Sequence, residues 1–138
     1  MEFVERIKAK AAQDIKTIVL PEAAEERNIK AANQILKEGF AKLVLIGNPD
    51  EIHHLASEYY LDQIDKAVIV DPLNNPKKEE YIELMLKLRA SKGLTREQAE
   101  KLIVDPLYLG ALMVKNGDVD GEVAGANNAT GDVLRPAF

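Results

Sequence analysis

Three short runs of apolar, mostly β-branched residues divide the first half of the chain. They cover residues 17–20, 42–46 and 67–70, and each is ended by a proline or by turn-forming residues such as the GNPD sequence at 47–50. Runs of this length between such boundaries predict strands that are buried on both faces. Because strands of this kind occur in parallel sheets covered by helices on both sides, the runs restrict the chain to an α/β fold.

The segments between and after these runs have helical periodicity and helix-capping residues. Gly39 is suited to the C-terminal end of a helix, and Thr95 with Gln98 matches a capping box at the start of another. Helices are therefore predicted at residues 22–38, at about 51–58, around the apolar stripe of Tyr81, Leu84, Met85 and Leu88, at about 95–103 and at 106–115. The predicted fold class is α/β, with an open, mostly parallel sheet and helices on both faces.

Composition excludes several functional classes. The chain has 138 residues, 46% of them hydrophobic, which is enough for one compact unit with a single core. A net charge of -5 gives no strong positive field for nonspecific nucleic-acid binding, and the absence of cysteine excludes a thiol nucleophile and a cysteine-based zinc site. Apolar runs of a few residues are far short of the ~20 that cross a bilayer. We therefore expect a soluble, cytoplasmic chain that binds neither nucleic acid nor membranes.

The loop from Gly125 to Arg135, after a predicted fourth strand at 120–125, is the leading candidate for a binding site. Ligands of open α/β sheets bind beyond the carboxyl ends of strands. Glycine and asparagine tolerate positive φ, so backbone N–H groups can converge on an anion, while Thr130 can donate and Arg135 offers a planar fork. This is phosphate-binding chemistry. The simpler interpretation is an ordinary strand-to-helix connection in which Asp132 caps a helix.

Arg89 is the second candidate. It lies one helical turn after Met85, at the margin of the apolar stripe, from where its guanidinium can reach into a cleft. A cation in the last turn of a helix is also favoured by the helix dipole without any ligand. Both interpretations remain open from the sequence.

Other residue patterns have structural interpretations. The sequence contains neither G-x-G-x-x-G after the first strand nor G-x-x-x-x-G-K-[ST], so dinucleotide and P-loop sites lack their fingerprints. His53 and His54 are adjacent on a predicted helix and point in different directions. The acidic group Glu22, Glu25 and Glu26 is interpreted as stabilising the start of a helix. No metal site is predicted.

Three segments, in order along the chain, resemble the phosphate acetyltransferase (phosphotransacetylase) family. They are the IVLPE sequence at 18–22 with Arg27, the Arg89 helix with KGLT at 92–95, and the most specific segment, at 120–136. Residues 1–138 resemble the amino-terminal α/β domain of such an enzyme. The resemblance implies a fold similar to that of the isocitrate and isopropylmalate dehydrogenases, with a second domain and a returning segment outside these residues.

The resemblance also implies a reaction and its residues. Such enzymes interconvert acetyl-CoA plus phosphate with acetyl phosphate plus CoA, by direct attack of the CoA thiolate on the acetyl carbonyl. Arg89 and Arg135 resemble the family's amino-terminal catalytic arginines, and Thr130, Gly131 and Asn128 lie in its phosphate-binding loop. No cofactor is implied, because CoA is a substrate.

Two departures from the family pattern shape the expectations. Residues 127–129 are Asn-Asn-Ala, where many relatives have an apolar residue, histidine and serine, so a phosphate butyryltransferase-like enzyme is an alternative. The second departure is that the returning segment lies outside residues 1–138. The resemblance implies that this segment supplies the thiol-activating aspartate, so we expect the isolated chain to be inactive. We also expect exposed apolar sheet surface to cause self-association, and the parent enzyme to be a homo-oligomer. The sequence leaves open, in addition, a dehydrogenase of similar fold and a non-catalytic phosphate-binding, CoA-binding or assembly fragment.

Overall fold

A four-stranded parallel sheet forms the centre of the structure. The computed structural model describes residues 2–126, 128 and 130–137, with Thr130 and Ala137 described by their backbone alone. Within these residues the sheet has the order β3-β2-β1-β4, and each of its pairings is parallel. The strands are β1 (Lys16–Leu20), β2 (Ala41–Ile46), β3 (Val68–Val70) and β4 (Gly121–Glu122). The open parallel sheet predicted from the sequence is confirmed.

Helices connect and cover these strands. Capping side chains fix several of their ends: Asn48 accepts a hydrogen bond from the Glu51 N–H at 3.1 Å, and the capping box at Thr95 and Gln98 is formed. Gly39 ends its helix with a left-handed φ of 76°. The helices are α1 (Phe3–Gln13), α2 (Glu26–Glu38), α3 (Pro49–Glu58), α4 (Lys78–Leu88), α5 (Arg96–Leu102), α6 (Pro106–Lys115) and α7 (Thr130–Ala137).

The core lies on both faces of the sheet. Successive residues of β1 and β2 point to opposite sides, so Val19 and Val44 pack with α4, α5 and α6, whereas Leu20 and Leu45 pack with α2 and α3. Because both faces of these strands are buried, they consist of almost uninterrupted apolar residues. The prediction of helices on both faces is therefore correct.

Two predicted boundaries are wrong, and both lie at the same end of the sheet. The fourth strand spans Gly121–Glu122 rather than residues 120–125, because the chain turns away from the sheet and Gly125 takes a φ of 121°. The helix predicted from residue 22 begins at Glu26, after a turn at 21–24. Both corrections place irregular backbone after neighbouring strands.

Strand β1 lies between β2 and β4, so the sheet order reverses there. A crevice at such a reversal, beyond the carboxyl ends of the strands, is where open α/β sheets bind ligands. Val68 in β3 and Val123 after β4 are each 61% exposed at opposite edges of the sheet, and the expected self-association stays a prediction. In the described part of the chain, no helix has the length and apolar composition to span a membrane.

Candidate anion site at the carboxyl end of the sheet

Glu22 occupies the crevice between β1 and β4. Among the residues that the structure describes, Glu22 is the charged residue classed as buried, and 7% of its surface is exposed. Its carboxylate accepts hydrogen bonds from the Gly125 N–H at 2.6 Å, the Ala126 N–H at 3.0 Å and the Asn128 side-chain amide at 2.7 Å. A buried carboxylate requires such donors, because transfer from water is otherwise costly.

This arrangement corrects two interpretations of the sequence. Glu22 does not stabilise the start of α2, since Glu25 accepts the hydrogen bond from the Asn28 N–H at 3.0 Å and caps that helix. Backbone N–H groups of the loop do converge on an anion, as their composition suggested, but the anion is a side chain of the same protein. The Asn128 amide also binds this carboxylate.

Arg27 holds the same loop through a carbonyl group. Its Nη2 donates to the Ala126 carbonyl oxygen at 2.6 Å, and its Nε donates to Glu25 at 2.8 Å, which lowers the pKa of Glu25. Asn28 closes the network by donating from its side chain to the Glu22 carbonyl oxygen at 3.1 Å. Residues 22–28 therefore hold the described loop residues Gly125, Ala126 and Asn128 through both donors and acceptors.

Arg135 lies on α7 at the rim of a small cavity. Its Nη2 pairs with Asp132 at 2.7 Å, its Nε donates to the Gly131 carbonyl oxygen at 3.2 Å, and its side chain is 70% exposed. The cavity has a volume of about 200 Å³ and is also lined by Asn128 and Tyr108. The guanidinium is thus solvated and adjacent to a concave surface. Because exposed ion pairs contribute little to stability, an incoming anion can replace Asp132 at low cost.

Arg89, at the C-terminal end of α4, contacts α7. Its Nη2 donates to the Arg135 carbonyl oxygen at 3.3 Å, and its guanidinium lies 5.4 Å from the centre of the Tyr108 ring. The two candidate arginines are therefore neighbours, although 46 residues separate them in the sequence. Gly131 lies in the first turn of α7, and the side chain of Thr130 lies outside the described part of the structure.

A larger cavity of about 470 Å³ lies beside Arg89. Lys92 and Lys115 add positive charge to its lining, and Glu122 adds a carboxylate from β4. Burial, together with the charge of Glu22, raises the pKa of Glu122 to about 7. In the described part of the chain, no hydrogen-bond donor to this carboxylate is found.

Gly110 of α6 provides the space for Glu122. A Cβ atom at position 110 would lie 2.6 Å from Oε1 of Glu122, closer than nonbonded atoms can approach. The sequence offers no independent signal for this contact, because Gly110 fits the pattern of an interior helix residue equally well. As for metals, the described residues include no group of three potential His, Cys, Asp or Glu ligands.

Sequence comparison identifies relatives over the entire chain. A family model described as phosphate acetyl/butaryl transferase matches residues 2–138. Phosphate acetyltransferases of Acetivibrio thermocellus and Thermoanaerobacterium thermosaccharolyticum are 51% and 50% identical over 138 residues, which is all of this chain and 41% of each relative. The chain therefore spans about two fifths of the length of these curated relatives.

Solved structures agree in fold. A phosphotransacetylase from Streptococcus pyogenes superimposes with a TM-score of 0.92 at 29% identity, covering 100% of this chain and 42% of that one. EutD phosphotransacetylase from Staphylococcus aureus gives a TM-score of 0.87 at 32% identity, covering 97% and 40% respectively. The implied likeness to the dehydrogenases stays a prediction. Because the family model matches residues 2–138, this chain belongs to the phosphate acetyl/butaryl transferase family.

Proposed function

We propose that this chain forms the phosphate side of an active site that interconverts acetyl-CoA plus phosphate with acetyl phosphate plus CoA. The observation that supports this most directly is the approach of Arg89 to α7, where its Nη2 lies 3.3 Å from the Arg135 carbonyl oxygen. Two cations thereby border adjoining cavities beyond the carboxyl end of the sheet. Arginine is suited to this task because its fork matches phosphate oxygens.

In the proposed reaction, the CoA thiolate sulfur attacks the acetyl carbonyl carbon of acetyl phosphate. A carbon–sulfur bond forms, the carbon–oxygen bond to phosphate breaks, and the electron pair leaves with the phosphate oxygen. The thiol proton goes to a base. Arg89 and Arg135 stabilise the charge that develops on the departing phosphate, and fixed donors do this without reorganising during the reaction.

The proposed phosphate position is next to Arg135, Gly131 and Asn128. Phosphate would replace Asp132 as the partner of the Arg135 guanidinium, and the N–H groups in the first turn of α7 would face it. Thr130 would add a hydroxyl donor, as the family resemblance implies. The N–H groups of Gly125 and Ala126 are not assigned to phosphate, since they bind Glu22.

Acetyl is the proposed acyl group. The family description includes both acetyl and butaryl transfer, but the relatives at 51% and 50% identity are phosphate acetyltransferases. No cofactor is proposed, and the active protein is proposed to be a cytoplasmic homo-oligomer. The isolated chain is proposed to be inactive, because the resemblance assigns the thiol-activating aspartate to a segment outside residues 1–138.

A phosphate titration of the purified chain tests this proposal. Amide chemical shifts followed by NMR are expected to show saturable binding of inorganic phosphate near Gly131 and Asp132, and Arg135→Ala is expected to weaken it strongly. Arg96→Ala is a matched control, because Arg96 is also an exposed helical arginine with acidic partners, on α5. Equal phosphate affinity in the chain and in Arg135→Ala would contradict the site.

A CoA-dependent assay of acetyl phosphate consumption tests the second part of the proposal. We expect no turnover by the isolated chain above the rate without protein. Measurable acetyl transfer by the chain alone would show that the base lies within residues 1–138. Phosphate binding without turnover after addition of the remaining part of the enzyme would instead favour a non-catalytic binding module.

A further inference from the structure

A side chain of the protein itself lies in the crevice at the reversal of the sheet order. In open α/β folds this position ordinarily receives the ligand. Here the Glu22 carboxylate lies in it and binds two backbone N–H groups and one side-chain amide of the loop after β4. The partners are 103 to 106 residues away in the sequence, so these contacts join two distant segments.

Beyond β4, side-chain contacts restrain the described residues of the loop. Its described residues between β4 and α7 are neither helix nor strand, and the ladder to β1 ends with the hydrogen bond from the Val123 N–H to the Val19 carbonyl at 3.1 Å. Beyond that point, Glu22 binds N–H groups of the loop and Arg27 binds its Ala126 carbonyl oxygen at 2.6 Å. These two side chains therefore restrain the main chain at Gly125 and Ala126.

The loop leads into α7, which is also held by α6 and by Arg89. Asn128, which donates to Glu22, precedes the first residue of α7 by two positions. Gly131 and Arg135 follow on one face of that helix, one turn apart, as the 3.2 Å bond between Arg135 Nε and the Gly131 carbonyl shows. We therefore expect a shift of the loop to disturb the start of α7, where Gly131 lies, and with it the contact of α7 with Arg89.

We propose that Glu22 is a positioning residue for the phosphate site: its carboxylate fixes Gly125, Ala126 and Asn128 and thereby the start of α7. Glu22 does not touch phosphate in this proposal, and it acts through the loop. The inference rests on the proposed function, because it takes Arg135 and Gly131 as the groups that bind phosphate. It adds that an anionic side chain at position 22 is required for their placement.

The test compares the chain with Glu22→Ala, Glu22→Gln and Asp118→Asn. Asp118 is the matched control, because its carboxylate also accepts bonds from three residues, Lys77, Tyr81 and Asn116, near the amino end of the sheet. Phosphate affinity is read from the Asp132 amide shift. We expect Glu22→Ala to raise the phosphate Kd about tenfold, which corresponds to about 1.4 kcal/mol, and Asp118→Asn to leave it unchanged.

The Glu22→Gln variant distinguishes an effect on the position of the loop from an effect on folding. It keeps an oxygen acceptor for the two backbone N–H groups but loses the charge, and its new NH₂ group opposes the Asn128 amide. We expect a smaller rise in Kd than in Glu22→Ala, with a variant that remains folded and has a slightly lower melting temperature. If Glu22→Ala does not fold, Glu22→Gln decides the question, and a wild-type Kd in that variant overturns the proposal.

Formate provides a readout that a general loss of stability would not produce. Glu22→Ala leaves a crevice lined by the donors that held the carboxylate, so added formate is expected to shift the Gly125 and Ala126 amides saturably toward their wild-type positions. The same addition is expected to leave these amides unmoved in the unsubstituted chain. Absence of any formate effect in a folded Glu22→Ala variant contradicts the role of the carboxylate.

The outcomes distinguish this inference from the proposed function. If the unsubstituted chain binds no phosphate, the proposed function fails. Hydrogen exchange at the Gly125 and Ala126 amides then decides whether Glu22 holds the loop, and equal exchange in Glu22→Ala overturns the inference. If the chain binds phosphate and Glu22→Ala binds it equally well, the inference alone is wrong.

Discussion

Two carboxylates lie at opposite ends of the same sheet and use different kinds of donor. Asp118, near the amino end, accepts hydrogen bonds from Lys77 Nζ at 2.9 Å, from Asn116 Nδ2 at 2.9 Å and from the Tyr81 hydroxyl. Burial opposes ionisation of Asp118, but Asn116, Tyr81 and Lys77 hold its pKa below the usual value. Glu22, at the carboxyl end, binds backbone N–H groups of a loop.

This difference in hydrogen-bond donors gives the carboxylates of Asp118 and Glu22 different structural roles. The donors to Asp118 are side chains at the start of α4 and in the turn after α6, so this carboxylate joins packed elements. The principal donors to Glu22 belong to the main chain of an irregular segment, so that carboxylate determines a backbone path. We expect the first to influence stability and the second to influence the binding site.

The largest expected effect is on catalysis at the carboxyl end. In a chimera in which this chain replaces the matching 41% of the Acetivibrio thermocellus phosphate acetyltransferase, Arg135→Ala is expected to lower kcat by about 10²–10³-fold, the typical loss on removing one oxyanion donor. Steady-state assay of acetyl transfer measures it. Lys77→Ala, at the amino end, serves as the control and is expected to retain activity.

A pH-dependent effect is expected at Glu122, the carboxylate without a donor in the described part of the chain. Its folded pKa of about 7 exceeds the ordinary 4.5, so the folded state binds more protons than the unfolded state between these values. Its contribution to stability is therefore full below pH 4.5 and is lost as pH rises through 7. Glu122→Gln is expected to stabilise the chain above pH 7 by on the order of 2 kcal/mol.

Urea denaturation at pH 4.5 and pH 8 measures this effect. The variant and the unsubstituted chain are expected to differ at pH 8 and to agree at pH 4.5. Glu83→Gln, an exposed position on α4, provides the control. A Glu122→Gln variant that is equally destabilised at both pH values would show that the carboxylate is ionised and bound to a partner.

The amino end is expected to respond through stability alone. Asp118→Ala removes the acceptor for Lys77, Tyr81 and Asn116 and is expected to lower the free energy of unfolding by about 1–2 kcal/mol. Chemical denaturation measures the loss, and phosphate titration of the same variant is expected to give the wild-type Kd. A change in phosphate affinity would contradict the expectation that Asp118 affects stability alone while Glu22 affects the binding site.

The smallest expected effect concerns Arg27. Its side chain is 74% exposed, so its bond to the Ala126 carbonyl competes with water. We expect Arg27→Ala to raise the phosphate Kd by about threefold or less, because a solvated contact contributes a fraction of the effect of a buried one. An effect larger than that of Glu22→Ala would show that the carbonyl contact, rather than the N–H contacts, determines the loop position.

Local features of the fold were predictable from the sequence, whereas the order of the strands was not. The apolar runs predicted β1, β2 and β3, because strands buried on both faces consist almost entirely of apolar residues. Thr95 and Gln98 predicted a helix start, because their side chains form a capping box. Nothing in a strand's own sequence tells which neighbour it pairs with. The location of β4 beside β1, and hence of the crevice, required the structure.

The candidate site was predictable in part for the same reason. The composition of the loop indicated converging N–H groups, and the positions of Arg89 and Arg135 made them candidates. Their catalytic roles come from the family resemblance and stay predictions. The partner of those N–H groups was missed, because Glu22 lies 103 residues from Gly125 and its acidic neighbours suggested a helix start. The available signal was an acidic residue two positions after a buried strand and ahead of the capping residue Glu25.

The fit of the Glu122 carboxylate against Gly110 has a consequence for how homologous sequences can differ. A methyl group at position 110 would overlap with Oε1 of Glu122, so the residue at 110 can become larger only when the Glu122 carboxylate moves or is shortened. Gly110→Ala is expected to be tolerated better when Glu122 is shortened to alanine, giving a non-additive double-mutant cycle. Homologues with a bulkier residue at one of these positions are accordingly expected to have a smaller one at the other.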